Sequence, residues 1–157
     1  NLSIDQANTY PIGSAERAKG YATAKDLLGR YIALVPALSE PHFVLAELAR
    51  IEGDVQTATS EAALGKEDYK SDLSTAKRAT GYYENTSDWT NAQFFLNEVV
   101  RLNPSDTASL YDLAKVSYLV GDQAASLVIV RELRRTHPDI LATDPSFMTA
   151  ITVYESR

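Results

Sequence analysis

His42 and His137 are the only histidines in this chain of 157 residues, and there is no cysteine. The groups that most often activate a nucleophile or ligate a transition metal are therefore scarce. The two imidazoles lie far apart in the sequence, and each reads as a capping or packing residue near a helix end. The seven glycines are scattered, so no glycine-rich loop is present to cradle a phosphate. Glu67 and Asp68 form a carboxylate pair inside a polar run and read as a solvated face. Arg131, Arg134, Arg135 and His137, with Glu132 among them, read as cations favouring a helix C-terminus, the other reading being a small anionic docking patch. Asn85-Thr86-Ser87 and Asn1-Leu2-Ser3 fit the glycosylation-acceptor pattern. The plainer reading of the first is a capping loop ahead of Trp89, which is expected to pack between helices. The chemistry points away from an enzyme, with no cofactor and no metal, and toward a chain that holds something.

Composition narrows what is held. A net charge of −6 opposes binding to nucleic acid, which needs a basic face to displace counterions. No run approaches the roughly 20 apolar residues of a membrane span, so direct membrane insertion of this segment is not expected. The chain opens on Asn1 without an initiator methionine, and the expectation is a fragment or a processed protein. Its compartment, cytoplasmic or extracytoplasmic, stays open.

The elements that position these residues are written on a ruler of 34 residues. Pro104 and Pro138 stand one interval apart, Pro36 stands two intervals before Pro104, and Lys70 takes the tick between. Ala24, Ala58, Ala92 and Ser126 form a second column, and Gly53-Asp54, Ser87-Asp88 and Gly121-Asp122 form a third. A fixed period of this size marks stacked helix pairs. Apolar residues at helical spacing agree: Ala15, Ala18, Ala22, Leu28 and Ile32 in one run, Trp89, Ala92, Phe95, Leu96, Val99 and Val100 in another. Ser14, Ser39, Asp54 and Asp106 stand where helix caps are needed. Residues 65 to 72 carry no apolar run and are expected to form a turn or a polar helix end of low local stability. A last helix is expected from Thr143-Asp144-Pro145, with Phe147, Met148, Ile151 and Tyr154 on one side. No stretch alternates long enough to make a strand.

The unit from Thr107 to Ile140 resembles a tetratricopeptide repeat. Leu110, Leu113 and Ala114 fit that family's first helix, Gly121-Asp122 its turn, Ser126 its small residue, Val130 and Leu133 its second helix and Pro138 its closing proline. The preceding unit keeps Ala79, Thr80, Tyr83, Ala92, Leu96, Val99 and Pro104 without the turn glycine. The one before keeps Leu45, Ala46, Ala49, Gly53-Asp54 and Ala58 without the proline. The resemblance implies an all-α fold, a right-handed α-solenoid of antiparallel helix pairs closed by a capping helix. A single domain then comprises a degenerate unit over 5–38, repeats over 39–72, 73–106 and 107–140, and a capping helix over 141–157. In the degenerate unit, Ala7 to Gly13, broken by Pro11, departs from a first helix.

In that family ligands lie along a concave surface lined by first helices. Carried onto this chain, the lining is Phe43, Val44, Glu47, Arg50 and Ile51, then Lys77, Arg78, Gly81 and Glu84, then Tyr111, Asp112, Lys115 and Tyr118. The resemblance implies a module that binds a protein or peptide segment, because Tyr, Phe and Arg tend to supply binding hot spots. Glu47 and Asp112 stand where a basic clamp for acidic C-terminal tails would need Lys, Arg or Asn, so such tails are expected to be repelled. The alternative implied is a soluble extracytoplasmic tail of a bacterial membrane protein, such as a polysaccharide ligase or polymerase, with a positioning role.

Overall fold

Seven aspartates or serines donate no backbone length to this fold but decide where its helices begin. Ser14, Asp54, Asp72, Asp88, Asp106, Asp122 and Asp144 each accept a hydrogen bond from the backbone N–H three residues on, satisfying a donor that a helix start leaves unpaired. The computed structural model describes residues 2–156, and the side chains of Leu2, Ser3 and Asp5 are not among those described. Asn1, the acceptor residue of the Asn1-Leu2-Ser3 triplet, thus lies outside the described residues. Within them the chain is all-helical, without a strand, and neighbouring helices pack on one another.

The chain divides into two compact units, Asn1–Lys70 and Ser71–Arg157. Unit 1 holds α1 (Leu2–Asn8), α2 (Ala15–Leu34), α3 (Ser39–Glu52) and α4 (Val55–Glu67). Helix α1 packs on α2, α2 on α3, and α3 on α4. Ala7, Tyr21, Ala24, Val44 and Leu48 share one buried cluster, with Ile4 and Leu28 against it. The expected break at Pro11 falls in the loop after α1, and a helix does precede it.

Unit 2 holds α5 (Leu73–Asn85), α6 (Trp89–Leu102), α7 (Thr107–Leu119), α8 (Gln123–Thr136), α9 (Pro138–Leu141) and α10 (Pro145–Glu155). The pairs α5–α6 and α7–α8 are hairpins, and α6 also packs on α7. Tyr83 and Phe95 stack with centroids 5.7 Å apart between α5 and α6. Tyr111, Ala114, Val130, Leu133, Leu141, Phe147 and Ile151 form the buried cluster beneath α10. Trp89, at the start of α6, is half-buried.

The 34-residue ruler has a backbone basis in each unit. At the hairpin turns, Gly53, Ser87 and Gly121 have φ of 82°, 57° and 92°. Asp54, Asp88 and Asp122 each donate their N–H to the carbonyl five residues back, at Ala49, Tyr83 and Ser117, all at 2.9 Å. This is one Schellman closure repeated three times, with a serine accepting the left-handed backbone where a glycine is absent. The second helices α2, α6 and α8 end alike. Val35, Asn103 and His137 have φ of −138°, −140° and −144°, a non-helical backbone of the kind a following proline favours. Helix α4, with Lys70 on that tick, ends instead at Asp68 with φ −84° and ψ 1°.

The small-residue column is buried throughout. Ala24, Ala58, Ala92 and Ser126 are between 0% and 4% exposed, and small side chains there let paired helices approach closely. Ser126 satisfies its hydroxyl by donating to the Ala114 carbonyl at 2.7 Å.

Two expectations need correction. Ser39 is the first residue of α3, and Leu38 occupies the cap without a side-chain hydrogen bond. The Ser39 hydroxyl donates across to the Gly65 carbonyl of α4. Pro138 ends α8 but also opens α9, where its missing N–H is one a helix start does not use. The polar run after residue 64 forms the polar helix end that is one of its two expected forms, helical to Glu67, with Gly65 within it buried.

Candidate functional site

In unit 1 the face of α3 is largely spent inside the fold. Phe43 and Val44, expected to line a groove, are 0% and 7% exposed. The reason is Gly65: with no side chain on α4 at that point, the Phe43 ring fills the space, and a Cβ at residue 65 would stand 2.9 Å from Phe43 Cε2. Phe43 is therefore a core residue. Glu47 and Arg50 are half-buried and pair with each other, Arg50 Nε and NH2 each donating to a Glu47 carboxylate oxygen at 2.7 Å. Ile51 is exposed. It lines a cleft of about 420 Å³ with Ile12, Ala18 and Tyr21, where the Arg17 guanidinium is already held by Tyr21, Tyr10 and Asn8.

His42, also on α3, is 6% exposed. Its Nδ1 lies 2.7 Å from Glu61 Oε2 on α4, and its Nε2 lies 3.9 Å from Asp68 Oδ2. It joins two helices. His137 is the exposed C-cap of α8, in unit 2. Among the described residues no group of three or more His, Cys, Asp or Glu is placed to hold a metal.

In unit 2 the candidate residues of α5 and α7 come together. Lys77 Nζ on α5 lies 2.6 Å from Asp106 Oδ2, the cap of α7. That contact, with the Ser109 N–H, holds the Asp106 carboxyl below its ordinary range. Lys115 Nζ lies 2.8 Å from Asp144 Oδ2 at the start of α10 and 5.5 Å from the Tyr111 ring centroid. Burial raises the Glu84 carboxyl, and the Asp112 carboxylate raises it further while Lys115 opposes. Burial likewise raises Asp112, opposed by Lys115 and reinforced by Asp106. Neither Glu84 nor Asp112 makes a salt bridge or side-chain hydrogen bond among the described residues. This face therefore carries two partly dehydrated carboxylates beside cations that already have partners. Arg78 is half-buried on the same helix, and Gly81 has open space where a Cβ would point.

Tyr111 and Tyr118 are turned toward α10. Tyr111 is 8% exposed, and both rings meet Phe147 of α10 edge-on at 6.0 Å. Burial raises the Tyr111 phenol. These two aromatics serve the packing of α10 rather than an open surface.

The basic cluster of α8 also has an internal use. Arg134 donates to both Glu155 carboxylate oxygens at 3.0 and 2.8 Å, Arg131 lies 3.4 Å from the same group, and Arg135 pairs with Glu132. Glu155, at the end of α10, was not among the residues that sequence spacing singled out. Its partners lie 21 and 24 residues back, and only the fold brings them together. Among the described residues no helix is long and apolar enough to cross a membrane. Compared with known proteins, the chain matches no family model and no curated relative.

Proposed function

We propose that the helix pairs are tetratricopeptide-like units of a right-handed α-solenoid, and that the chain is a binding module for a protein or peptide segment. The reading is supported by the recurrence of one turn, one cap and one buried small residue every 34 residues. A scaffold of identical hairpins presents equivalent helices, and a binding surface is the usual product of such repetition.

The observation that carries the function is the face of α5 and α7 in unit 2. Lys77 and Lys115 are paired with Asp106 and Asp144, whereas Glu84 and Asp112 are held partly out of water with Lys115, already paired, acting on them only at longer range. Charge left uncompensated on a half-dehydrated face is stabilised by a partner that compensates it. The segment that fits brings a Lys or Arg side chain to Glu84 and Asp112. It does not bring a cluster of carboxylates.

A displayed peptide library panned on the chain tests this, followed by fluorescence anisotropy on selected peptides. Selected sequences are expected to be enriched in Lys or Arg, and the double variant E84Q/D112N to weaken binding about tenfold or more, the scale of losing a partly buried charge contact. Substitution of exposed Val128 by Thr on α8 is expected to change nothing. Failure to select any peptide, or equal binding by both variants, would remove the reading.

A further inference from the structure

We propose that His42 is a proton-responsive clasp on the end of α4, tightening the segment Lys66–Lys70 when the imidazole is protonated. The ring is buried on α3 and placed between two carboxylates of the α4 side, Glu61 at Nδ1 and Asp68 at Nε2. A neutral imidazole has one N–H. Given to Glu61 at 2.7 Å, it leaves a lone pair directed at the Asp68 carboxylate, and the two repel. An imidazolium has N–H on both nitrogens and attracts both carboxylates.

The two contacts differ in what they hold. Glu61 sits in the middle of α4, and in the last turn, ahead of Asp68, the Ser39 hydroxyl also ties α4 to α3 through the Gly65 carbonyl. That bond does not titrate. Asp68 is the C-cap of α4 and stands next to Tyr69 and Lys70, the last residues of unit 1. Protonation therefore changes the hold on the helix end while leaving its middle fixed. No proline stands at residue 70 to stiffen this exit, in contrast to Pro36, Pro104 and Pro138, and the Asp68 contact adds to the backbone bonds from the Asp68 N–H to Leu64 and from the Tyr69 N–H to Lys66. The ionisable groups against the ring are Glu61 and Asp68, both from the α4 side. Helix α2, also packed on α3, places none in a hydrogen bond or ion pair with it.

The test compares about pH 5.5 with about pH 8 on the whole chain. Amide hydrogen exchange is read by NMR at residues 64–70 and corrected for the intrinsic rate, with the His42 ring resonances followed in the same samples. Protection of these amides is expected to be about threefold to fivefold higher at pH 5.5, the size of a partly exposed ion pair, while amides near Ala58 stay unchanged. Asp68→Asn is expected to abolish the difference without altering the middle of α4, and His42→Gln to abolish it wherever that variant folds. Equal protection at both pH values, or a difference that survives in Asp68→Asn, would overturn the proposal.

Discussion

Gly65 lies against the ring of Phe43 so closely that an added Cβ would stand 2.9 Å from Cε2, 3.0 Å from Cδ2 and 3.2 Å from His42 Cβ. Alanine in a helix interior is favoured over glycine by about 1 kcal/mol, yet here it would collide with a ring that is 0% exposed. Overpacking costs about 1–3 kcal/mol. Gly65→Ala is expected to destabilise unit 1 by about 1 kcal/mol net. Phe43→Leu in the same chain should recover part of that loss, and a urea double-mutant cycle with no coupling would contradict the packing described.

Thr80 carries the opposite lesson, since its hydroxyl is buried and has no hydrogen-bond partner among the described residues. Thr80→Val keeps the branched shape and removes the orphaned group. It is expected to stabilise the chain by about 1 kcal/mol, whereas Thr80→Ser keeps the hydroxyl, loses a methyl and should destabilise. Urea midpoints of the two variants moving in the same direction would argue against this account.

Lys115 and the Phe147 N–H together hold the Asp144 carboxyl at about 2, Lys115 being the larger influence. A carboxyl lowered on folding adds stability above its unfolded value, near ~3.9, and that contribution disappears as pH falls through about 2. Asp144→Asn retains a good helix cap but loses the ion pair. The variant should melt below the parent at pH 7, and the gap should close between about pH 4 and pH 2. A gap that persists at the acid end would show that the cap, not the pair, had been damaged.

Asp112 has the reverse sign. Burial raises its carboxyl, so ionisation costs stability, in full above the folded value and progressively less as pH falls through it. Asp112→Asn is expected to raise the melting temperature at pH 7, with the advantage shrinking toward acid. It should weaken segment binding at the same time. Stability and binding falling together would mark Asp112 as a structural residue only.

Helix α10 covers Val130 and Leu133 with Phe147 and Ile151, and it is fastened at each end, by Asp144 to Lys115 and by Glu155 to Arg134. A chain ending at Thr143 would leave that apolar face uncovered. Size-exclusion chromatography should then report association or aggregation, with a lower melting temperature. A monomer as heat-stable as the full chain would remove the capping role.

Much of the scaffold was legible because it is written in local rules. Ala58, Ala92 and Ser126 share a buried environment since close helix approach admits only small side chains at that tick. Pro104 and Pro138 stop helices by excluding the preceding residue from helical backbone. Ser87 was not legible in this way, because nothing in its type announces a left-handed turn. The site was less legible. Phe43 looks like a groove residue until the absence of a side chain at Gly65 is seen across the hairpin. Arg131 and Arg134 look like an open basic patch until α10 folds back with Glu155. Both cases turn on partners more than 20 residues away, which a helical periodicity does not encode.

The thrice-repeated Schellman closure also bears on how the chain acquires its structure. Each hairpin is sealed by bonds spanning five residues or fewer, so little loop entropy must be lost before the next helix has a surface to land on. Topologies built from such short-range contacts reach the native state quickly. A newly made hairpin can thus be finished before its neighbour has been synthesised, and apolar faces stay open for less time to the stray encounters that seed aggregates.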